Sequence, residues 1–472
     1  MTNKLYNFLF IIGILIFSVS CDKDRLNLLP EQSLDESVAF SSVATARAAL
    51  NGVYSQAQLI EVFGSQPHTI EDYLSDNTEF VGSFPTFQEI FQYITTTPNI
   101  SIQNIWQVHY RVINGANLVI DNVPNIIDPA LNENVQNELL GQAKFLRGIV
   151  YMQLVNQFAH PYTLNNGTSL GVPLVLKGFT GQIEYPSRAT VGEVHQQIVK
   201  DLTEARDHLA AAQFSRGAVR ASASAANGYL SRLHLYRGEY QQAANFAKLV
   251  LDANYTPAAD LKFYNTRNSE WVFVIGMTAV DNSRTGAGGW ASYHRPATQG
   301  GRGDCAFTAS LEAAFAEEAG DLRFSELSDI VTAADQVQRR MTRKYPDGAG
   351  NSDDAPMMRI SEMHLTRAEA LAQLNGVNQE SIDLVNPIRV RAGLSPWTLD
   401  TFNSKDALVD AILNERRKEL CFEGHRRMDL LRIGKELRAG NPNTAPGASR
   451  TVLPIPQREI DLNTSLVQNP GY

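Results

Sequence analysis

The chain has 472 residues, 43% of them apolar, which is length and composition enough for a sizeable packed core and for more than one domain. Lys and Arg total 41 against 50 Asp and Glu, and no run of five or more like charges occurs, so the basic footprint of a nucleic-acid binder is excluded. The net charge of −9 serves solubility and says nothing about fold.

The first residues break from this composition. Lys4 precedes twelve largely apolar residues, Phe8 to Val19, and then Ser20-Cys21. A spanning helix needs roughly 20 apolar residues, so residues 1–20 read as a secretory signal peptide. Cys21 makes it a lipoprotein signal: Ser18-Val19-Ser20-Cys21 resembles a lipobox, with Ser18 where Leu is usual. Several acyl chains on Cys21 would anchor the mature protein to a membrane, and residues 21–32 form a tether.

Ser33-Leu-Asp-Glu36 opens a helix like a capping box, and apolar residues recur every three or four positions through Ala39, Phe40, Val43, Ala46, Leu50 and Val53 to Tyr54. From Glu71 to Thr97 the periodicity fails. Acids and aromatics alternate there, Asp72, Tyr73, Asp76, Phe80, Phe84 and Phe87 among them, and the stretch reads as a loop-rich insertion. Helices are expected around Trp106 to Val119, ending before Pro124, from about Asn137 to Phe158, and behind a Thr190 cap through Leu209. Ala223 to Asp252 reads as two helices joined at Arg237-Gly238-Glu239, with small residues that permit close approach. The pair resembles a tetratricopeptide hairpin, and an unrelated helical hairpin fits equally well.

Trp271-Val-Phe-Val-Ile275 is β-branched and aromatic, as a short strand is. The glycine-rich run Thr285 to Asp304 reads as a long loop. It carries Trp290, Tyr293 and Arg295, a flat aromatic surface beside polar partners. With Asp72, Asp76 and Phe84 of the 71–97 stretch, these are the candidate ligand-binding residues. Arg302-Gly-Asp304 matches a three-residue adhesion motif that arises readily by chance.

Near the end, Ser404 caps a helix running through Leu408, Ile412 and Leu413 to a stop at Gly424, and a second short helix holds Met428, Leu430 and Leu431. Between Asn414 and Arg432, ten of nineteen positions are charged with closely alternating sign. Glu419 can meet Arg416, and Asp429 can meet Arg426 or Arg432. By residue chemistry alone this is a solvated face of ion pairs, each contributing roughly 0.2 to 0.5 kcal/mol. An acid/base pair of Glu423 and Asp429 is disfavoured, because no apolar pocket splits their pKa values.

The order N-E-R-R-x-E-L-x-F-E-G-x-R-x-x-D-L-x-R resembles the hallmark segment of the SusD/RagB family, surface lipoproteins of Bacteroidetes. Phe145 to Phe158, Asp321-Leu-Arg323, Arg359 to Ala370, Asn386-Pro-Ile-Arg389 and the terminal Leu453-Pro-Ile-Pro456 and Gln468-Asn-Pro-Gly-Tyr472 resemble further blocks in family order. Asp22-Lys23-Asp24 resembles the export signals of such lipoproteins.

The resemblance implies a mainly α fold with a tetratricopeptide-like scaffold. It divides the mature chain into a helical region over 33–260 and a second region over 261–472, whose irregular ligand-side part covers about 272–356. It implies capture of a glycan at the cell surface and delivery to a SusC-like TonB-dependent transporter in the outer membrane, without catalysis. It also implies that Glu415, Arg416, Glu419, Phe422, Glu423, Gly424, Arg426, Asp429 and Arg432 are structural.

A peptide-binding RagB-like protein and a repeat scaffold for protein interaction are the alternatives, with a glycoside hydrolase behind them. No phosphate cradle, dinucleotide fingerprint, nucleophile elbow or zincin motif is present, and no cofactor is expected. No cysteine pair has metal-ligand spacing, His364 has no second histidine, and no metal is expected. Cys421 reads as a small buried hydrophobe, and a bridge from it to Cys305 has no support in the sequence.

Overall fold

A computed structural model describes residues 36–212, 217–264, 266–283 and 288–472. The signal peptide, Cys21, the tether, the Ser33 capping box and the start of the 285–304 loop lie outside the described residues.

Helix dominates. The scaffold comprises α1 (Val43–Ala57), α2 (Ile100–Asn122), α3 (Glu133–Phe158), α4 (Val191–Ala211), α5 (Ala223–Tyr236), α6 (Tyr240–Leu251), α7 (Ile360–Asn375), α8 (Gln379–Arg391), α9 (Lys405–Glu419) and α10 (Arg426–Arg432). From α1 to α8 each helix packs on the next, the step from α6 to α7 spanning the irregular region between them. Such a stack buries the apolar stripe of each hairpin only against its neighbours. Its axial residues, among them Leu146, Val150, Leu202, Leu230 and Ile360, are fully buried.

Local chemistry sets the helix ends. Thr190 and Glu193 form a capping box at α4, and Ser404 accepts from the Ala407 N–H at α9. The first expected helix is interrupted. A short turn of helix, Glu36–Ala39, stops, and α1 restarts behind Ser42, whose hydroxyl and Thr45 form a second capping box. Phe40, in the break, is partly buried against the core.

Strands occur as three antiparallel pairs. β1 (Thr78–Phe80) pairs with β3 (Cys305–Phe307), β2 (Trp271–Ile275) with β6 (Ala355–Arg359), and β4 (Ser328–Thr332) with β5 (Gln338–Thr342) in a hairpin.

Loops make up about half of the 71–97 stretch, as expected, and regular elements that the sequence did not announce make up the rest. Helices Gln66–Tyr73 and Pro85–Phe91 flank β1. In the first of them Pro67 through Tyr73 are all buried. A helix packed on every side has no polar face, so it shows no periodicity.

Candidate functional site

The hallmark segment forms the end of α9, the turn that follows, and α10. Eight of its ten charged residues are buried, not solvated, and most of their partners come from distant parts of the chain. Glu419 lies 2.9 Å from Arg359, 2.6 Å from Arg391 and 3.3 Å from Arg323. Glu423 accepts from Arg359 at 2.9 Å, from Lys344 at 2.7 Å and from the Tyr264 hydroxyl at 2.9 Å. Glu415 holds Arg323 at 2.7 Å and Arg389 at 3.0 Å. The family-like Asp321-Leu-Arg323 and Asn386-Pro-Ile-Arg389 blocks thus supply counter-charges to the hallmark.

Of the local pairs anticipated, only Asp429 with Arg432 forms, at 3.0 Å. Arg416 turns from Glu419 to Asp429, at 2.8 Å, and Arg426 reaches Asp76 at 2.7 Å. Burial pushes the Glu423 carboxyl up, but the Arg359 guanidinium and Lys344 ammonium outweigh it and hold the pKa down to about 2. Both carboxylates of the disfavoured acid/base pair are held low, whereas an acid/base pair needs one of the two raised.

The turn itself is left-handed at Phe422 and Gly424. A Cβ at Gly424 would sit 2.9 Å from His68, and the Gly424 N–H donates to Asp72 at 3.3 Å. Asp72 is therefore an internal acceptor at the hallmark turn. It is buried away from solvent, and burial drives its pKa well above the usual range. Asp76 is likewise engaged, bridging Arg426 and Arg417.

The aromatic platform expected on the 285–304 loop is turned inward, which is the second correction. Trp290, Tyr293 and Arg295 lie on a short helix, Trp290–His294, and its end. Trp290 is 2% exposed, donates its indole N–H to the Phe63 carbonyl at 3.1 Å, and packs on Tyr345 at 4.9 Å. Tyr293 is buried against Phe87, and its hydroxyl accepts from Gln66 at 3.1 Å. Arg295 spans Asp329 and the Thr342 carbonyl, fastening the loop to the β4–β5 hairpin. These rings wedge the loop against the scaffold and supply no open stacking face.

One aromatic of the predicted set is open. Phe84 is 48% exposed, at the start of helix Pro85–Phe91. The Arg302 guanidinium lies 4.0 Å from the centroid of its ring and 4.8 Å from that of Tyr293, and Asp304 pairs with Arg302 from behind. The two loops meet because Val81 donates to the Asp304 carbonyl at 2.9 Å, extending the β1–β3 ladder. Close packing is required: a Cβ at Gly301 would stand 2.0 Å from the Arg295 carbonyl oxygen. The turn after β4 closes the third side, its Ala334 N–H donating to the Gly303 carbonyl.

The result is an exposed ring backed by a fixed, charge-balanced guanidinium on a rim of three loops. Arg302 entered the sequence reading only within a chance tripeptide. Its stacking on Phe84 left no sequence signal.

Cys305 and Cys421 are buried free thiols, and the His364 ring bonds the Leu384 carbonyl. Among the described residues no group of three or more His, Cys, Asp or Glu is placed to hold a metal ion. No described helix is long and apolar enough to cross a membrane.

A stack of helices locked by a buried ionic hub, with three loops meeting at the Phe84 rim, defines a class of helical-repeat proteins. The profile described as "SusD family" matches residues 335–449, and that described as "Starch-binding associating with outer membrane" matches residues 25–235. A SusD-like protein of Formosa agariphila is 26% identical over 531 residues, covering 99% of this chain and 100% of its own length. Among solved structures, a SusD superfamily protein from Bacteroides thetaiotaomicron superimposes with a TM-score of 0.81 at 25% identity, covering 91% of this chain and 100% of its own. A laminarin-binding SusD-like protein does so with a TM-score of 0.73 at 23% identity, covering 91% and 99%. The chain belongs to the SusD/RagB family.

Proposed function

We propose that the protein is a lipoprotein, anchored through Cys21, that captures oligo- or polysaccharide at the cell surface and passes it to a SusC-like TonB-dependent transporter without catalysing a reaction. The observation that carries the binding role is the open Phe84 ring with Arg302 packed on it. The guanidinium is already paired with Asp304, so the rim offers aromatic surface and oriented N–H groups without a net charge to neutralise. This suits a neutral sugar ring. The family profile's description and the laminarin-binding neighbour support the ligand class.

A glycan array followed by calorimetry on wild type and Phe84→Ala tests the reading. A glycan whose affinity falls about tenfold in the variant is expected, the order of one lost stacking contact. Retention of full affinity would remove the rim as the site. Cys21→Ala should release the protein from the membrane fraction, and unchanged fractionation would remove the tether.

A further inference from the structure

A second cleft lies on the outer side of the hallmark segment, between α9, α10, the loop after α8 and residues 317–318, with a volume of about 610 Å³. That size falls within the roughly 300 to 1,000 Å³ typical of small-molecule clefts. Nothing in the capture reading uses it.

Its distinctive wall is Trp397. Asn386 clamps the main chain of this residue in both directions, its Oδ1 accepting the Trp397 N–H at 2.8 Å and its Nδ2 donating to the Trp397 carbonyl at 3.0 Å. The Arg389 guanidinium covers the ring at 4.4 Å from its centroid, and Phe402 meets its edge at 5.0 Å and 87°. The indole is thus fixed before any ligand arrives, yet it remains half-buried, and its N–H meets no protein acceptor among the described residues. The other three tryptophans, Trp106, Trp271 and Trp290, are 3%, 5% and 2% exposed. Trp397 is the one that solvent reaches.

The opposite wall is polar, and most of it is already neutralised. Glu318 is held by Arg389 at 2.6 Å and Lys418 at 3.3 Å, and Asp410 pairs with Lys435 at 3.3 Å. An ionic ligand would have to displace one of these partners. Glu317 is different: it has no cation within ion-pair distance among the described residues and is oriented by the Asn414 amide at 2.7 Å. That leaves a carboxylate and an amide oxygen as fixed acceptors, with Leu430 and Ile433 as an apolar floor. Aromatic surface, fixed acceptors and a wall on which the other acids are already paired match a molecule with C–H faces and hydroxyl donors.

We propose that this cleft is a second carbohydrate subsite for a short neutral oligosaccharide, with Trp397 as the stacking surface and Glu317 and Asn414 as hydroxyl partners. It rests on the reading of the chain as a glycan binder. Pre-fixed walls cost little ordering on binding, which favours modest but real affinity.

Because Trp397 alone among the tryptophans is open, iodide quenching of the protein's fluorescence reports this cleft. Laminarihexaose and maltoheptaose serve as probes on the full mature chain, with calorimetry in parallel. Bound oligosaccharide should lower the quenching constant about twofold, in wild type and equally in Phe84→Ala. Trp397→Phe should erase the signal. Asn414→Ala, on an outer helix face, should weaken protection about fivefold, the order of one lost hydrogen bond, without changing the melting temperature.

If calorimetry detects binding but quenching does not change, the subsite is overturned and the Phe84 reading stands. Failure of wild type to bind either probe counts against capture itself, and this inference falls with it. Protection by a Lys-rich peptide and by neither oligosaccharide would make the cleft a peptide groove and overturn the proposal.

Discussion

The hallmark turn and the Phe84 rim both bring arginine beside aromatic and acidic side chains, yet they are built for opposite ends. At the turn, Arg359 has Glu270, Glu419 and Glu423 within ion-pair distance and is 1% exposed. At the rim, Arg302 has one acid partner and two rings, one of them largely open. Enclosed charge on this scale contributes little net stability but makes the loss of any member costly, because the abandoned partner stays buried. An exposed stack contributes little to the fold and leaves its surface to something else. What separates structure from binding here is enclosure, not residue type.

The sharpest test of that difference is Glu423→Ala. It would strand Lys344 and Arg359, and a loss of about 3 to 5 kcal/mol is expected in urea unfolding. Unchanged stability with lost glycan binding would reverse the assignment of the two regions. Trp290→Ala follows: a buried indole removed from the wedge should destabilise by about 3 kcal/mol, while the glycan affinity of the folded protein stays within about twofold. A large affinity loss at unchanged stability would return the loop to the binding surface.

Acid should divide the regions again. Glu423 has its folded pKa depressed from 4.5 to about 2, so its contribution is fully present above about pH 4.5 and is lost as pH falls toward 2. Melting temperature should decline through that window in wild type, and the Glu423-dependent part of the decline should be missing in Glu423→Gln. The smallest expected effect on the fold is that of Phe84→Ala. Its melting temperature should stay within about 1 °C of wild type, since exposed substitutions shift stability by less than about 0.5 kcal/mol.

Much of the scaffold was legible in the sequence, and for clear reasons. Helix α6 shows its helical period because it buries Ala243, Ala244, Ala247 and Val250 and turns other positions outward, β2 matches its β-branched run, and Thr190 and Ser404 announce helix starts through their own side-chain hydrogen bonds. The helix Gln66–Tyr73 was hidden because it is buried all round.

The site was harder to read. Trp290 and Phe84 are both large aromatics in sequence without a helical or strand period, and nothing local tells that one meets the Phe63 carbonyl, 227 positions away, while the other meets solvent. The alternating charges of Asn414 to Arg432 misled for the same reason. Neighbouring signs suggest neighbouring partners, whereas the residues that neutralise Glu419 and Glu423 lie elsewhere in the chain.

That long reach bears on how the protein comes into being. Lys344 and Arg359 precede the acids and carbonyls of residues 415–429 that complete their surroundings by 60 to 79 positions. Arg427 and Arg188 then tie Glu71 and the final Val467 carbonyl into the same body. Contacts of such sequence separation form slowly, and a truncated chain would have to bury cations with no counter-charge. A chain from which residues 415–429 were removed would leave Lys344 without its carboxylate and carbonyl partners, and the completed hub acts as the latch that closes the fold.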